Sequence, residues 1–301
     1  RYAPGVPAFF FVSGFLIYSS WCNAPGMAYF QNRFLRIWPA LAFVTCGGAL
    51  IALGVRGVHD FSAHTTTYLI WIVSQVTLGQ WYNPQIFRNI GSGVINGALW
   101  TITTEIIFYA FVPIIAFFER KIKYTIPLFI ALSFSLYAVG PQVLGQRVYG
   151  DKTFYDVLGV TPLVWGWMFG FGMLAVKYFN RIQPYFRYFP IAIVPLISLI
   201  MLGRFDDAFF GCMGNRLGIL YFVPYCMIII YLAFQTPFIK LDTDLSYGIY
   251  IWHMPIINVA IVVGVKSPLI ILPVVICMGV FSWFLIERPA LRLKRKSIHK
   301  V

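Results

Sequence analysis

Long apolar runs separated by short polar loops fill almost the whole of this 301-residue chain. Each run approaches the ~20 residues with which an α-helix crosses the hydrocarbon core of a bilayer. Hydrophobic residues make up 59% of the chain and charged residues 11%, whereas soluble domains average about 25% charged residues. A soluble fold must cover its surface with polar groups, so this composition excludes a soluble globular domain. The runs are 4–21, 34–55, 67–81, 97–118, 124–139, 157–176, 188–202, 217–234, 245–263 and 268–286.

The basic residues predict which side of the membrane each loop occupies. Lys and Arg are enriched in the cytoplasmic loops of membrane proteins, so the basic clusters should share that side. Arg1 is then expected on the outer side. The net charge of +13 reflects topology and contact with anionic lipid rather than binding of nucleic acid. The clusters are Arg33 with Arg36, 119–123, 177–187 and the tail from Arg288.

The run 67–81 breaks the alternation of sides. It lies with 34–55 and 97–118 between the first two basic clusters, and three crossings cannot return to the same side. The run is short and contains Ser74, Gln75, Thr77 and Gln80. Irregular backbone at membrane depth is tolerated where protein shields it. The sequence therefore predicts an all-α fold, a polytopic transmembrane helix bundle of about nine crossings plus one short re-entrant or non-crossing segment at 67–81.

We expect a single domain over residues 1–301, in which 287–301 forms a basic cytoplasmic tail that contacts lipid headgroups. The outer-loop residues His59, Asp60 and His64 lack a spacing typical of a metal site, and we expect no metal. The cysteines have no paired or metal-binding spacing, so we interpret them as small apolar residues. They are Cys22, Cys46, Cys212, Cys226 and Cys277.

Two ionisable side chains inside apolar runs mark candidate functional sites, because charge at membrane depth is costly. Each lies on one helix face with polar neighbours at a spacing of three or four residues. Either residue could instead be a hydrogen-bonded interior group that fixes the bundle. The two faces are Thr101, Glu105 and Tyr109 in the run 97–118, and Ser246, Tyr250 and His253 in the run 245–263.

Arg33 and Arg36 lie three residues apart at the start of the run 34–55. They are either a stop-transfer charge pair or a fork of guanidiniums aimed at a phosphorylated ligand on the cytoplasmic face. Arginine suits the second role because its planar donors match phosphate oxygens bidentately. Ser13, Gly14 and Phe15 lie within the first run, where a glycine permits close helix approach.

Five short segments, taken in order, resemble the acyltransferase-3 family of bacterial membrane O-acyltransferases, which acetylate exported glycans such as lipopolysaccharide. The resemblance covers nearly the whole chain. Each motif alone is weak, but their order and spacing together are specific. The segments are 9–16 (FFFVSGFL), 32–39 (NRFLRIWP), 99–109 (LWTITTEIIFY), 245–253 (LSYGIYIWH) and 286–289 (IERP).

The resemblance implies transfer of an acyl group, usually acetyl from cytoplasmic acetyl-CoA, to a sugar hydroxyl of an extracytoplasmic or lipid-linked polysaccharide of the cell envelope. Arg33 and Arg36 then correspond to the donor-binding arginines. Glu105, Tyr250 and His253 correspond to catalytic positions. The residues that match the supporting motifs are Ser13, Gly14, Phe15, Trp100, Tyr109, Ser246 and Tyr247.

The family's first helix, with the histidine assigned as general base, has no counterpart in this sequence. We therefore expect an N-terminally truncated or degenerate relative, in which activity requires His253 or Glu105 to act as the base. A base is needed because the pKa of a sugar hydroxyl is far above 7.

Two other functions remain open from the residues. A buried glutamate and histidine could form the proton relay of a transporter or flippase, and an inactive relative could bind an acyl donor or glycan without turnover. In each case the location is a bacterial inner (plasma) membrane, with several crossings and a cytoplasmic C-terminal tail.

Overall fold

The structure, a computed structural model, describes residues 3–80, 82–149, 152–203, 207–236 and 243–294. α-Helices dominate this part of the chain, together with 3₁₀ turns and two short antiparallel hairpins. The hairpins pair β1 (Arg147–Tyr149) with β2 (Lys152–Thr153), and β3 (Cys212–Met213) with β4 (Arg216–Leu217). The α-helices are α1 (Gly5–Asn23), α2 (Met27–Arg56), α3 (Val58–Ala63), α4 (Thr65–Leu78), α5 (Trp100–Lys121), α6 (Thr125–Val143), α7 (Phe154–Leu158), α8 (Pro162–Lys177), α9 (Phe179–Ile182), α10 (Ile193–Leu202), α11 (Ile219–Gln235), α12 (Ser246–Val262), α13 (Pro268–Ser282) and α14 (Arg288–Arg292).

Six helical segments in the described ranges are long and apolar enough to span a bilayer, and α11 and α12 are shorter apolar helices. Large apolar side chains such as Leu50, Leu132 and Leu269 are exposed, as expected for a surface that contacts lipid. The predicted polytopic α-helical membrane protein is confirmed, and the count of about nine crossings stays a prediction. The six segments are Gly5–Asn23, Met27–Arg56, Gly97–Glu119, Thr125–Val143, Phe179–Leu202 and Pro268–Arg292.

The helices form two compact units, and α5 contributes to both. The first unit comprises Arg1–Asn23 and Ile107–Lys240, and the second comprises Ala24–Ile106 and Leu241–Val301. The expectation of a single domain over 1–301 stays a prediction. Most of the basic tail expected at 287–301 lies outside the described residues, from 295 onward.

Close packing of α1 against α8 organises the first unit. A side chain on Gly14 would overlap the backbone of Phe169, and one on Gly172 would overlap the backbone of Phe11. Small residues at a membrane helix crossing let the two backbones approach, which raises the van der Waals attraction between them. On the other side of α8, the hydroxyl of Ser133 in α6 donates to Leu163 O (2.7 Å) and accepts from Trp167 N (2.8 Å).

In the second unit, α2 is longer than the sequence predicted. The run 34–55 suggested a helix that begins after Arg33, whereas α2 begins at Met27 and has 30 residues. Residues 27–33 contain no glycine or proline, and Gly26 has φ 80°, which ends the preceding turn. Arg33 and Arg36 therefore lie inside the first turns of a helix, where their spacing places both on one face.

α4 has 14 residues, about 21 Å of helix, and is shorter than the ~30 Å hydrocarbon core. It ends at Gly79, which has φ 74°, and the chain then runs through irregular backbone and 3₁₀ turns to α5. This geometry agrees with the non-crossing segment predicted at 67–81, although Trp81 lies outside the described residues. That the segment does not cross the membrane stays a prediction.

Two asparagines join this irregular segment to α12. The buried side chain of Asn258 donates to Val94 O (2.7 Å) and Ile95 O (2.9 Å) and accepts from Ser92 N (2.8 Å). Asn96 donates to Ile251 O at 2.8 Å. These bonds satisfy backbone groups that no helix pairs, and they fix the entry to α5 against α12.

Two predicted spans are interrupted. The run 157–176 divides into α7 and α8, with a turn between them that ends at the N-cap Thr161. The run 188–202 begins as a 3₁₀ helix, Gln183–Ala192, and becomes α10. Pro184 and Pro190 lie in the 3₁₀ segment, and a proline removes the backbone N–H that an α-helical bond requires.

The last long helix contains a π-helical turn. α13 packs against α12 through Gly248 and Gly279, where an added Cβ would meet backbone or side-chain atoms of the other helix. The π-turn Trp283–Glu287 follows, and α14 continues the helix to Arg292. π-Turns within α-helices are rare and frequently lie at functional sites.

Candidate active site

Arg36 is surrounded by acidic and aromatic groups of the second unit. Its Nη2 donates to Asp244 Oδ2 at 2.5 Å, and its guanidinium lies 5.7 Å from the centroid of the Tyr247 ring. It also interacts electrostatically with Glu287 and Glu105. The Tyr247 hydroxyl donates to Ile37 O (3.1 Å), which fixes the ring beside the guanidinium.

Arg33 and Lys294 add positive charge to Arg36. The ammonium of Lys294 interacts with both guanidiniums, and burial together with Arg33 and Arg36 lowers the pKa of Lys294 to about 8. A lysine that crowds two arginines is unfavourable unless an anion compensates the charge. Arg33, Arg36 and Lys294 are called the cationic cluster below. The sequence interpretation placed Lys294 at lipid headgroups and did not foresee this contact.

Glu105 lies near the cationic cluster and near aromatic hydroxyls. Its carboxylate interacts electrostatically with Arg36 and with the side chains of Tyr29, Tyr247 and Tyr250. The structure therefore brings together Arg36, Glu105 and Tyr250, which the sequence identified from separate motifs.

Tyr250 is bound to the first turn of α5. Its hydroxyl donates to Ala98 O at 2.9 Å and forms a second, short hydrogen bond with the Thr101 hydroxyl. The Thr101 hydroxyl also lies within donating distance of Ala98 O, at 3.3 Å, so the two hydroxyl hydrogens are shared among three contacts. Two hydroxyls thus share one carbonyl acceptor, so either can turn to a new acceptor while the other retains the carbonyl.

The hydrogen bond of His253 decides which ring nitrogen carries its proton. Nδ1 lies 2.5 Å from Tyr250 O, one turn earlier in α12. A carbonyl can only accept, so Nδ1 carries the hydrogen, and in the neutral imidazole the lone pair lies on Nε2. With its lone pair on Nε2, the neutral His253 has the tautomer that a general base needs. The side chain is half-buried.

Glu287, from the IERP segment, is a buried carboxyl behind Arg36. The residue is 3% exposed, and its Oε1 accepts from Ser282 Oγ at 2.9 Å. Oε2 has no hydrogen-bond partner among the described residues. Gly248 leaves room for this carboxyl, since an added Cβ there would lie 2.8 Å from Oε1.

The supporting motif residues divide between the two units. Ser246 and Tyr247 are at the start of α12, and Trp100 begins α5, all within the second unit. Ser13 and Tyr109 are buried in the first unit, where Gly14 serves the α1–α8 crossing and Phe15 contacts Phe179 and Phe234.

Sequence reasoning missed three functional candidates: Asp244, Glu287 and Lys294. Asp244 lies just before the run 245–263 and was given no role, although an Asp two residues before a helix is a recognisable cap signal. Glu287 stood in a quoted motif without a role.

In the parts of the chain that the structure describes, no group of three or more His, Cys, Asp or Glu residues could bind a metal ion.

The apolar helical bundle thus contains a cationic cluster, the buried Glu287 and the half-buried Glu105 and His253. The sequence profile of the acyltransferase domain (acyltransferase-3) matches residues 2–288, and the chain belongs to this family. It is a multi-pass membrane acyltransferase of groups other than aminoacyl, and its relatives support O-acyl transfer. This membership favours an enzyme over the transporter interpretation.

Two relatives are similar over almost the full chain. Nodulation protein 10 of Rhizobium leguminosarum bv. viciae is 29% identical over 98% of this chain and 84% of its own length. The O-acetyl transferase of Shigella phage Sf6 is 26% identical over 93% of this chain and 82% of its own length. No solved structure matches the chain.

Proposed function

We propose that the protein transfers an acyl group, acetyl by preference, from acyl-CoA bound at the cationic cluster to a hydroxyl of an extracytoplasmic or lipid-linked glycan. The observation that supports this is the position of Arg36, which interacts electrostatically with Glu105, while Glu105 interacts electrostatically with Tyr250. A site for an anionic donor thus adjoins a site with acid–base groups. The phage relative's name, O-acetyl transferase, supports acetyl as the group and oxygen as the acceptor.

The donor binds through its phosphates. Acyl-CoA has several phosphate groups, and guanidiniums bind phosphate oxygens with short, charge-assisted hydrogen bonds. Arg33 and Arg36, with Lys294, lie together at the end of α2 that the positive-inside rule assigns to the cytoplasm. This orientation, in a bacterial inner membrane with Arg1 outside, matches the cytoplasmic source of acyl-CoA.

In the reaction, the acceptor hydroxyl oxygen attacks the thioester carbonyl carbon and the carbon–sulfur bond breaks. His253 Nε2, or alternatively the Glu105 carboxylate, takes the hydroxyl proton and passes it to the departing thiolate. Tyr250 or Thr101 turns from Ala98 O to stabilise the oxyanion of the tetrahedral intermediate. The apolar bundle restricts water, which would otherwise hydrolyse the thioester.

The test is acetyl-CoA binding to the purified protein in detergent, measured by calorimetry. The double variant Arg33→Ala/Arg36→Ala should lose about 100-fold or more in affinity, because each charge-assisted bond contributes roughly 10-fold or more. The matched control is Arg120→Ala/Lys121→Ala, which removes two exposed positive charges from the last turn of α5. Equal losses in both variants, or no binding by folded wild type, would refute a donor site at the cationic cluster.

A further inference from the structure

Asp244 has contacts of the kind that a bound phosphate makes. Its Oδ2 accepts from Arg36 Nη2 (2.5 Å), and its Oδ1 accepts from Ser246 Oγ (2.5 Å) and Ser246 N (3.3 Å). A guanidinium, a hydroxyl and a backbone N–H at a helix start are all groups that bind phosphate oxygens. The carboxylate of Asp244 therefore occupies a complete anion-binding arrangement.

The electrostatics confirm that Asp244 lies in the field of the cationic cluster. Burial raises the pKa of Asp244, but Arg36 and the hydrogen bonds from Ser246 outweigh it, and the pKa falls below its usual value. Lys294 also interacts with Asp244. Asp244 thus interacts with two of the three cations, Arg36 and Lys294, and its departure would leave both of them without its negative charge.

The side chain of Asp244 is free to leave this arrangement, whereas the buried carboxyl of Glu287 is not. The side chain of Asp244 is 48% exposed, so water can solvate its carboxylate once the ion pair opens. Glu287 is 3% exposed and fixed by Ser282. When Asp244 departs, the Glu287 carboxyl remains near the guanidinium and still interacts electrostatically with Arg36.

We propose that Asp244 is an internal competitor of the acyl donor, and that a donor phosphate displaces it from Arg36 and Ser246. Ser246, at the start of α12, thereby becomes a phosphate ligand. This inference rests on the proposed function for the location of the donor. The apparent donor affinity should then equal the intrinsic affinity multiplied by the fraction of time for which Asp244 is away from Arg36.

The experiment compares the wild type with Asp244→Asn and Ser246→Ala, with acetyl-CoA and ADP as probes. Asp244→Asn should bind both probes about 5-fold more tightly, since a partly exposed ion pair reduces affinity by about this factor. Ser246→Ala should bind both probes about 3- to 10-fold more weakly, because one phosphate ligand is lost. Asp244→Ser serves as a second variant if Asp244→Asn does not fold.

The matched control is Asp60→Asn, which also removes one negative charge from an arginine pair, at the other end of α2. It should leave both affinities unchanged within about 2-fold. Equal tightening by Asp60→Asn would show a net-charge effect and overturn the proposal, as would unchanged or weaker binding by Asp244→Asn. If the wild type binds but Asp244→Asn does not tighten, the inference fails and the donor site stands. Folded wild type that binds neither probe would overturn both.

Discussion

An arginine near each end of α2 binds an aspartate: Arg36 pairs with Asp244, and Arg56 pairs with Asp60. The two arginines are about 30 Å apart along the helix. Arg36 makes one bond to a carboxylate that is 48% exposed. Arg56 makes two bonds to Asp60, at 2.6 and 2.7 Å, and donates to Ile86 O at 2.6 Å, while Tyr68 donates to Asp60 at 3.2 Å.

The two arginine–aspartate pairs of α2 therefore differ in their surroundings. At the Arg56 end, every contact joins α2 to α3, α4 or the irregular segment, beside the buried cluster of Tyr68, Trp71 and Phe87. These contacts hold α2, α3 and α4 together. At the Arg36 end, one bond joins the arginine to the partly exposed Asp244, and the cations Arg33 and Lys294 lie close by. We proposed above that a donor phosphate displaces this carboxylate. We infer that the number and exposure of the contacts, and not the residue types, distinguish an ion pair that stabilises the fold from one that a ligand displaces.

The largest expected difference comes from replacing each arginine by lysine, which keeps the charge and removes the planar fork. Arg36→Lys should lower acetyl-CoA affinity roughly 10-fold, because one charge-assisted bond to phosphate is lost. Arg56→Lys should lower the Tm in detergent by about 5 °C or more and leave donor affinity within about 2-fold of wild type. Calorimetry and thermal unfolding of both variants measure this.

The proposed difference between the two ends of α2 would be contradicted if Arg36→Lys lowered the Tm and Arg56→Lys lowered donor affinity. A large Tm loss in Arg36→Lys without a change in affinity would make the Arg36 pair structural. Reduced donor affinity in Arg56→Lys, measured well below its Tm, would place donor contacts at the opposite end of α2.

The sequence predicted the fold class well because period and length of apolar runs report directly on membrane helices. It misplaced the start of α2, since the positive charges of Arg33 and Arg36 suggested a loop. It also missed the π-turn at Trp283–Glu287, because the apolar pattern of the run does not distinguish such a turn from the α-helix around it.

The candidate site was predictable only in part. Arg36, Glu105, Tyr250 and His253 stood out because charge and imidazole inside apolar runs are costly. Asp244 did not, since a polar residue in a loop is ordinary until its partner is known. That partner, Arg36, is 208 positions away in the sequence, and only the packing of α2 beside α12 brings them together.

The second expected effect is a difference in pH dependence between the two ends of α2. The pKa of Lys294 is about 8, so its charge is lost as the pH rises from 7 to 9. A bound phosphate favours the charged lysine, so donor affinity should fall by about 3- to 10-fold over this range. The phosphate itself, with a second pKa of about 6, does not titrate there. Lys294→Arg should abolish the dependence, because arginine stays charged.

The contribution of Asp60 to stability, at the Arg56 end of α2, should not change over the same pH range. Hydrogen bonds from Arg56 lower the pKa of Asp60 to about 2, against an ordinary value of 3.8. A depressed carboxyl pKa contributes stability above the unfolded value, which is lost only as the pH falls toward 2. The Tm difference between wild type and Asp60→Asn should therefore stay constant from pH 7 to 9. A change in that difference near pH 8 would contradict the separation of the two ends.

The smallest expected effect is that of His64→Ala, which tests what holds Asp60 in place. His64 Nδ1 lies 3.3 Å from Asp60 Oδ1 and 3.1 Å from Asp60 O, and the side chain is 42% exposed. An exposed pair of this kind contributes little, because water and side-chain entropy offset the attraction. The Tm should fall by less than about 2 °C, and donor affinity should not change. A Tm loss as large as that of Arg56→Lys would assign the restraint of Asp60 to His64, and the contrast in contact number between the two ends of α2 would then no longer explain their different roles.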